Sequence, residues 1–385
     1  SCWIYLHGLD AALSVNNYSA AAMDGIENYA ESEFLKREID ELGCPDCPVR
    51  CIKAIHPAGG SPDPRADGIH QEITGAMGVN LGITDLDAVF TANHWCNQYG
   101  LDPTSLGYTI SCAIELGKQG IIDDASIPAF GDAEGVLRLV HRIAEREGIG
   151  DRLAEGSARF AESVDGEAYA MHVKGLEMVP FEPRSQTNLA LGYAVAPIGP
   201  RYDICEHDWD FDTEVGWDHT LKYSRTLGIL ERVPMGYIGV DKVRNFKGLL
   251  TLWSAADALD MCIFAIAPTR LLSLPAMSDL VAAVTGWDTS SYELMKIGER
   301  RLHLMRCFNL REGLGPDLDT LPDRFFAEPL AESKREGDVL DRQAFSKAVV
   351  SFYRMMGWDD GGVPTEETLA DARLPSRREL LGPSA

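Results

Sequence analysis

The sequence predicts a mainly α-helical protein built from more than one domain. Capping residues recur before stretches in which apolar residues return every three or four positions. Glycines follow where several of these stretches end, as expected of helix C-termini. Strand-like alternation is rare, and its best example is the short segment Ala168–Val173. A length of 385 residues exceeds one average domain, so we expect two or three.

The sharpest helix boundaries lie in the first third of the chain. Thr84-Asp85-Leu86-Asp87 has the pattern of a capping box, so a helix begins there and Gly100 closes it. Asp102-Pro103 is typical of an N-cap followed by proline at the first helical position. We therefore expect a second helix that ends at about Gly117.

Later segments carry similar signals. Gly131-Asp132 begins a helix whose apolar stripe includes Val136 and Leu139, and Gly148 marks its end. Further helical stretches are expected near residues 26–42, 151–163, 241–262, 276–285, 290–307 and 343–356. The segment Gly175–Asp218 is rich in Pro, Gly and acids, which favours a hinge or a site-forming region between two helical halves.

Composition and charge exclude some classes of function. The net charge is −24, with 59 acidic and 35 basic residues, which argues against sequence-independent binding to nucleic acid. The sequence contains no run of 18 apolar residues, so we do not expect a membrane-spanning helix. The nine cysteines are an odd number and mostly scattered, which favours a reducing, cytoplasmic compartment over a disulfide framework.

One cysteine cluster stands apart from the scattered thiols. Cys44, Cys47 and Cys51 follow the spacing C-x2-C-x3-C, which can supply three corners of an iron–sulfur cube from one loop. A zinc site or plain structural cysteines stay open as alternatives, although no second C-x-x-C or finger-like His pair follows. Spacing alone does not choose a fourth ligand among the remaining cysteines, which are Cys2, Cys96, Cys112, Cys205, Cys262 and Cys307.

Several long segments resemble the aldehyde ferredoxin oxidoreductase family. These segments are Gly131–Ser163, Ala170–Arg184, Phe308–Leu330 and Phe352–Leu369, within a match from about Asn16 to Leu374. The resemblance implies a 4Fe–4S cluster held by the cysteine triplet and by a distant cysteine in an Asp-x-x-x-x-Cys sequence. Asp257 and Cys262 match that sequence, although the family usually has Gly where this chain has Asp260.

The same resemblance implies residues that contact a tungsten or molybdenum bis-pterin. Asn97-Gln98-Tyr99-Gly100-Leu101-Asp102 matches a pterin-contacting stretch of the family, so Asn97 and Asp102 join Asp257 as candidate cofactor ligands. Pterin rings carry N–H groups that donate hydrogen bonds, and carboxylate and amide oxygens can accept those bonds. Asp102 is also the expected N-cap of a helix, and the two roles are compatible.

Family enzymes place a glutamate and a histidine beside the metal. Glu72 matches the glutamate, although Ile69-His70-Gln71 replaces the family's Pro-Glu-Tyr before it. Tyr202 aligns with the histidine, and His207 is the nearest imidazole. The neighbouring acids, Asp208 among them, are expected to raise the pKa of His207. Glu72, His207 and Tyr202 are therefore the candidate acid–base residues.

The resemblance implies a function and an architecture. We expect two helical domains packed around a cofactor cleft, residues 1–175 with the cysteine loop and residues 176–385 with the fourth cysteine. The expected activity oxidises an aldehyde to a carboxylic acid and passes electrons to ferredoxin. An aromatic acyl-CoA reductase subunit and a non-catalytic electron-transfer subunit are the alternatives. Family members carry a further N-terminal domain, which we expect to be supplied by a longer protein or a partner.

Overall fold

The computed structural model describes residues 2–55, 68–201, 203–204, 207–266, 272–331 and 333–382. Helices far outnumber strands among them, so the predicted mainly α fold class is confirmed. The chain forms two compact units: Ser1–Ser185 with Pro322–Val339, and Gln186–Leu321 with Leu340–Ala385. In the described part of the chain, no helix combines the length and the apolar character that crossing a bilayer requires.

The first unit contains eight helices and two small hairpins before residue 186, counted over its described residues. The helices are α1 (Cys2–Leu9), α2 (Glu31–Leu35), α3 (Gln71–Met77), α4 (Leu86–Tyr99), α5 (Pro103–Lys118), α6 (Ala133–Ala144), α7 (Ile149–Leu153) and α8 (Ser157–Glu162). The strands are β1 (Glu38–Leu42), β2 (Ile52–Ile55), β3 (His172–Val173) and β4 (Leu176–Glu177). Each hairpin pairs its two strands antiparallel, β1 with β2 and β3 with β4.

The boundaries of α4 and α5 confirm their sequence signals. Gly100 closes α4 with a φ of 70°, a left-handed conformation that glycine adopts without steric cost. The Asp102 side chain then caps α5 by accepting hydrogen bonds from the backbone N–H groups of Thr104 and Ser105, at 2.8 and 3.3 Å. The cap of α4 is Asp85, one residue later than the capping-box pattern indicates.

Helix α3 packs closely against α5. A Cβ atom at Gly107 of α5 would lie 2.6 Å from the carbonyl oxygen of Ala76 in α3, so glycine permits this approach. The contact fixes the position of α3, which carries Glu72 in its first turn.

Two expectations for this unit were wrong. Residues 26–42 form a 3₁₀ turn (Ile26–Tyr29), the short helix α2 and strand β1. The strand forms because Glu38–Leu42 pairs with Ile52–Ile55 across the cysteine loop. The stretch 151–163 contains two short helices, since Gly156 at a φ of 89° separates α7 from α8.

The second unit is also helical. Its helices before residue 322 are α9 (Thr187–Val195), α10 (Asp208–Phe211), α11 (Asp218–Ser224), α12 (Val240–Ala258), α13 (Ile263–Ile266), α14 (Leu274–Thr285) and α15 (Ser291–Arg311). Helices α12 and α15 form its central pair, and a Cβ at Gly298 would lie 2.1 Å from the Thr251 carbonyl oxygen. One buried cluster of this unit comprises Leu252, Trp253, Ala256, Ile266, Leu274, Met277, Val281 and Leu294.

The segment Pro322–Val339 returns to the first unit and contains α16 (Arg324–Ala327). Arg324 is buried there and donates to both carboxylate oxygens of Glu115, at 2.9 and 2.6 Å. Arg184 donates to the Glu328 carbonyl oxygen at 2.8 Å. The chain then rejoins the second unit with α17 (Arg342–Met355), α18 (Glu366–Asp371) and α19 (Arg377–Leu381).

Candidate functional site

The cysteine triplet lies on the loop of the β1–β2 hairpin. The pairing of Leu42 with Ile52 closes this loop at its base. Within the loop, the Cys47 N–H donates to the Cys44 carbonyl oxygen at 3.0 Å, which makes a tight turn. Cys44 and Cys51 are exposed and Cys47 is half-buried, so all three thiols are accessible at one end of the hairpin.

Two further features shape the loop between its strands. Asp46 and Arg50 both have left-handed backbones, with φ of 59° and 45°. The Arg50 guanidinium donates from Nε to the Glu41 carbonyl oxygen at 3.0 Å, which ties the end of the loop to β1. The hairpin therefore presents the thiols on a backbone held at both ends.

The thiols suit a soft metal centre. Thiolates are the ligands that iron–sulfur clusters use, and none of the three cysteines forms a disulfide within the described residues. In the same part of the chain, no three His, Cys, Asp or Glu side chains are already arranged around one metal position. The donor set therefore fits a cluster by its chemistry, and binding requires the loop to bring its sulfur atoms together.

Cys262 follows the end of α12 and its side chain is exposed. The helix ends in a Schellman motif: the Met261 N–H donates to the Ala256 carbonyl oxygen at 3.0 Å, and the Asp260 N–H to the Asp257 carbonyl oxygen at 3.2 Å. Asp260 occupies the left-handed position of this motif, with a φ of 54°. The backbone at Asp260 therefore adopts a conformation that glycine adopts without steric cost.

Asp257 lies one turn before Cys262, in the last turn of α12. Its carboxylate forms an ion pair with Arg301 of α15 at 3.2 Å, and about a third of the side chain is exposed. Burial raises the pKa of Asp257, and the nearby guanidinium groups of Arg301 and Arg201 oppose that change. Asp257 is thus a half-buried acceptor with a cationic partner on the neighbouring helix.

Glu72 is buried in the first turn of α3. One carboxylate oxygen, Oε2, accepts a hydrogen bond from Nδ1 of His70. The other oxygen, Oε1, is buried and has no hydrogen-bond partner among the described residues. A buried carboxylate oxygen without a partner is costly, which is typical of a site completed by a ligand or a reacting group.

The candidate pterin ligands Asn97 and Asp102 flank the turn between α4 and α5. Both residues are exposed. Asn97 lies in the last turn of α4, and its carbonyl oxygen accepts from the Gly100 N–H at 3.4 Å. Asp102 caps α5 through Oδ1. The structure thus places these two acceptors on one exposed turn of the first unit.

The second acid–base candidate is His207, which is buried immediately before α10. Its neighbour Asp208 forms an ion pair with the buried Lys242 and accepts from the backbone N–H groups of Asn188 and Leu189, at 2.8 and 3.1 Å. Asp208 therefore anchors the start of α9. Tyr202 lies outside the described residues.

Sequence reasoning missed the partners of these acids. It did not consider His70 as a partner of Glu72, although a histidine two residues before a candidate base was a usable signal. Arg301, the ion-pair partner of Asp257, lies on another helix, and no local pattern identifies it.

Each unit thus carries features of a redox protein. The first has an accessible loop of three thiols and a buried carboxylate with an unpaired oxygen, and the second has an exposed cysteine next to an ion-paired aspartate. The family profile "Aldehyde ferredoxin oxidoreductase, domains 2 & 3" matches residues 5–374. The chain belongs to this family of oxidoreductases.

Individual relatives agree with this assignment. The tungsten-containing aldehyde ferredoxin oxidoreductase of Pyrococcus horikoshii is 33% identical over 354 residues, which cover 89% of this chain and 54% of the relative. The "aliphatic sulfonate oxidoreductase, WOR-like subunit" of Pyrococcus furiosus is 28% identical over 379 residues, 92% of this chain and 53% of that protein. The chain spans about half the length of the curated relatives it matches.

A solved structure shares the fold. The BamBC active-site complex of benzoyl coenzyme A reductase, solved with 1,5-dienoyl-CoA, superposes with a TM-score of 0.74. The two sequences are 21% identical, and the match covers 96% of this chain and 58% of that chain. This similarity supports the helical architecture.

Proposed function

We propose that this chain is the cluster-bearing part of a tungsten or molybdenum bis-pterin enzyme that oxidises an aldehyde to a carboxylic acid. Membership of the aldehyde ferredoxin oxidoreductase family supports the enzyme class. The observation that carries the proposal is the buried Glu72 carboxylate, whose Oε1 lacks a partner among the described residues. Such an oxygen can take up a proton during the reaction.

The candidate residues fall into two groups, cysteines that would bind the cluster and polar side chains that would bind the pterin. Cys44, Cys47, Cys51 and Cys262 would hold a 4Fe–4S cluster through thiolates. Asn97, Asp102 and Asp257 would accept hydrogen bonds from the pterin rings. When bound, the cofactors supply the two-electron oxidation and pass electrons singly to ferredoxin or a similar acceptor.

Proton transfer falls to this chain's own side chains. Oxidation of an aldehyde to a carboxylic acid takes one oxygen atom from water and releases two protons and two electrons, and the electrons leave through the cofactors. Glu72 would accept one proton at Oε1, and His207 or Tyr202 would act as the second acid–base group. Because Glu72 is buried, bulk water does not compete freely with the substrate at this oxygen.

The complete activity belongs to a larger assembly in this proposal. The matched relatives are about twice as long as the matched segment. We place the remaining cofactor contacts in a further N-terminal domain or a partner subunit. The two compact units of this chain, Ser1–Ser185 with Pro322–Val339 and Gln186–Leu321 with Leu340–Ala385, would contribute two helical domains to that assembly.

The test is analysis of the complete, anaerobically purified enzyme for tungsten, molybdenum, pterin and iron, followed by substrate assays with ferredoxin. We expect pterin, one of the two metals, about four iron atoms per chain and oxidation of aldehydes. Glu72→Gln should abolish turnover and leave the iron content unchanged. Iron without pterin, tungsten or molybdenum would instead identify an electron-transfer subunit. Zinc alone would exclude both the pterin enzyme and the electron-transfer subunit.

A second candidate is a reductase acting on an aromatic acyl-CoA thioester. The residues Ile69-His70-Gln71 before Glu72, and Tyr202 where the resemblance implies a histidine, keep this reductase as the alternative, since they change the expected surroundings of the base. Parallel assays with aldehydes and with aromatic acyl-CoA thioesters distinguish the two. Turnover of the thioesters alone would replace aldehyde oxidation as the proposed function.

A further inference from the structure

The two oxygens of the Glu72 carboxylate lie in different surroundings. The side chain is about 8% exposed. Oε2 accepts a hydrogen bond from Nδ1 of His70, whereas Oε1 is buried without a partner among the described residues. No other described side chain forms an ion pair with Glu72. The carboxylate is thus held at one oxygen and available at the other.

The donor in this pair is a neutral imidazole. Burial lowers the pKa of His70 to about 4, so the ring is uncharged near neutral pH. A neutral imidazole carries one N–H, and a carboxylate only accepts, so the proton resides on Nδ1. The contact fixes the tautomer of His70 and leaves Nε2 as an acceptor.

The backbone of His70 is fixed by the helix that carries its partner. The His70 carbonyl oxygen accepts from the N–H of Thr74 at 3.2 Å and from its hydroxyl group at 3.1 Å. His70 itself is extended and lies directly before α3. The imidazole and the carboxylate are therefore attached to the same helix start, which limits their relative motion.

We infer that His70 is a positioning residue for the acid–base site: it anchors Oε2 of Glu72 and directs proton uptake to Oε1. This inference rests on the proposed role of Glu72. A hydrogen bond to the ionised form favours that form, so the donor also keeps the buried carboxylate available as a base.

Other titratable groups surround α3. Helices α1, α4 and α5 pack against it, and their buried titratable side chains are His7, His94, Cys96, Tyr108, Cys112 and Glu115. Burial lowers the pKa of His7 to about 4 and raises the pKa of Cys96 and Cys112 to about 12. Glu115 is paired with Arg324. Because several groups are near, the Glu72 signal must be assigned by substitution.

The test compares His70→Asn with His70→Leu in the complete enzyme. The two replacements have similar shapes, and only asparagine keeps an N–H donor close to the position of Nδ1. Infrared titration follows the carboxyl band that is absent in Glu72→Gln. We expect this band to protonate at higher pH in the leucine variant than in the wild type, and near the wild-type pH in the asparagine variant.

Activity gives the second readout. The acidic limb of the pH profile of kcat/KM should move to higher pH in the leucine variant, with about a tenfold loss on the acidic side. The asparagine variant should stay within about threefold of the wild type. If the leucine variant does not fold, His70→Phe keeps a ring without a donor and replaces it.

The outcomes separate this inference from the proposed function. Equal titration of the Glu72 band in the asparagine and leucine variants overturns the role of His70, even if aldehydes are oxidised. The expected infrared shift in an enzyme that does not oxidise aldehydes supports the anchoring by His70 and rejects the proposed function.

Discussion

At the residue scale, His303 of α15 makes stability depend on pH. The side chain is 3% exposed, and its Nδ1 accepts a hydrogen bond from the Trp358 indole N–H at 2.9 Å. Burial lowers the pKa of His303 from 6.5 to about 4. Between these pH values the unfolded chain binds more protons than the folded one, so acidification favours unfolding.

We therefore predict that this group makes the free energy of unfolding fall from pH 6.5 to about 4, by at most about 1.4 kcal/mol per pH unit. His303→Gln keeps an acceptor for Trp358 and does not titrate, so its unfolding should depend less on pH in this window. Urea denaturation of both proteins at several pH values measures this. Parallel curves for the two proteins would exclude His303 as the source.

The backbone conformation of Asp260 can also be tested at the residue scale. This backbone is left-handed in the Schellman motif that precedes Cys262. Aspartate tolerates this conformation better than most residues, and β-branched residues tolerate it poorly. We predict that Asp260→Val lowers the free energy of unfolding by about 1–2 kcal/mol. Asp260→Gly should stay within about 0.5 kcal/mol of the wild type, because relief of strain offsets the added freedom of the unfolded chain.

Urea denaturation of the two variants tests the backbone assignment. A valine variant as stable as the wild type would show that residue 260 is not left-handed in solution. The sequence identified this position only through the resemblance, as a departure from a family glycine. The φ of 54° is a conformation that glycine adopts without steric cost.

At the element scale, local signals predicted helices well and the cysteine hairpin poorly. Helices α5 and α6 begin at the expected Asp residues, and the cap of α4 lies one residue after its expected position, because a side-chain cap is encoded by its own neighbours. Strand β1 exists only by pairing with β2 across the cysteine loop. Its sequence, Glu-Ile-Asp-Glu-Leu, has no strand-forming signal strong enough to outweigh a helical one.

The start of α5 offers a prediction that separates two roles of Asp102. Asp102→Ser keeps a capping oxygen, so stability should change by less than about 0.5 kcal/mol, whereas Asp102→Ala should cost about 1 kcal/mol. Both variants lack the carboxylate and should bind less pterin in the complete enzyme. Thermal unfolding and pterin content are the measurements. Normal pterin content in the serine variant would leave Asp102 as a helix cap only.

At the scale of the whole molecule, the first compact unit includes a segment from a distant part of the sequence. A division by sequence at residues 175 and 176 assigns Pro322–Val339 to the later half, yet this segment packs in the first compact unit. Its buried Arg324 pairs with Glu115 and donates to the Asn17 carbonyl oxygen at 2.6 Å. Contacts between residues so far apart in sequence leave no local pattern, so sequence reasoning did not find them.

This pairing predicts a large effect from a single substitution. Arg324→Leu leaves the buried Glu115 carboxylate without its cation and should lower the free energy of unfolding by about 3–5 kcal/mol. Lys334→Gln, on the same segment, removes the exposed ammonium group that pairs with Asp10 but keeps a hydrogen-bond donor, so it should cost less than about 1 kcal/mol. Equal losses in urea denaturation would show that the returning segment is not held by the buried pair.

Only part of the candidate site could be predicted from local sequence patterns. The cysteine spacing is local and visible in the sequence, whereas the choice of Cys262 and Glu72 depended on family resemblance. Their surroundings, including His70 beside Glu72 and Arg301 beside Asp257, emerged only from the fold. The assignment of Cys262 as fourth cluster ligand stays a prediction, since the cysteine loop and Cys262 belong to different compact units.

The most direct test of that assignment is the iron content of Cys262→Ala, measured in anaerobically purified complete enzyme beside the wild type. Cys307→Ala, which removes a buried cysteine of α15, is the control. We predict about four iron atoms per chain in the wild type and the control, and a clear loss of iron and of the cluster's visible absorption in Cys262→Ala. Full iron content and an unchanged spectrum in Cys262→Ala would contradict the account.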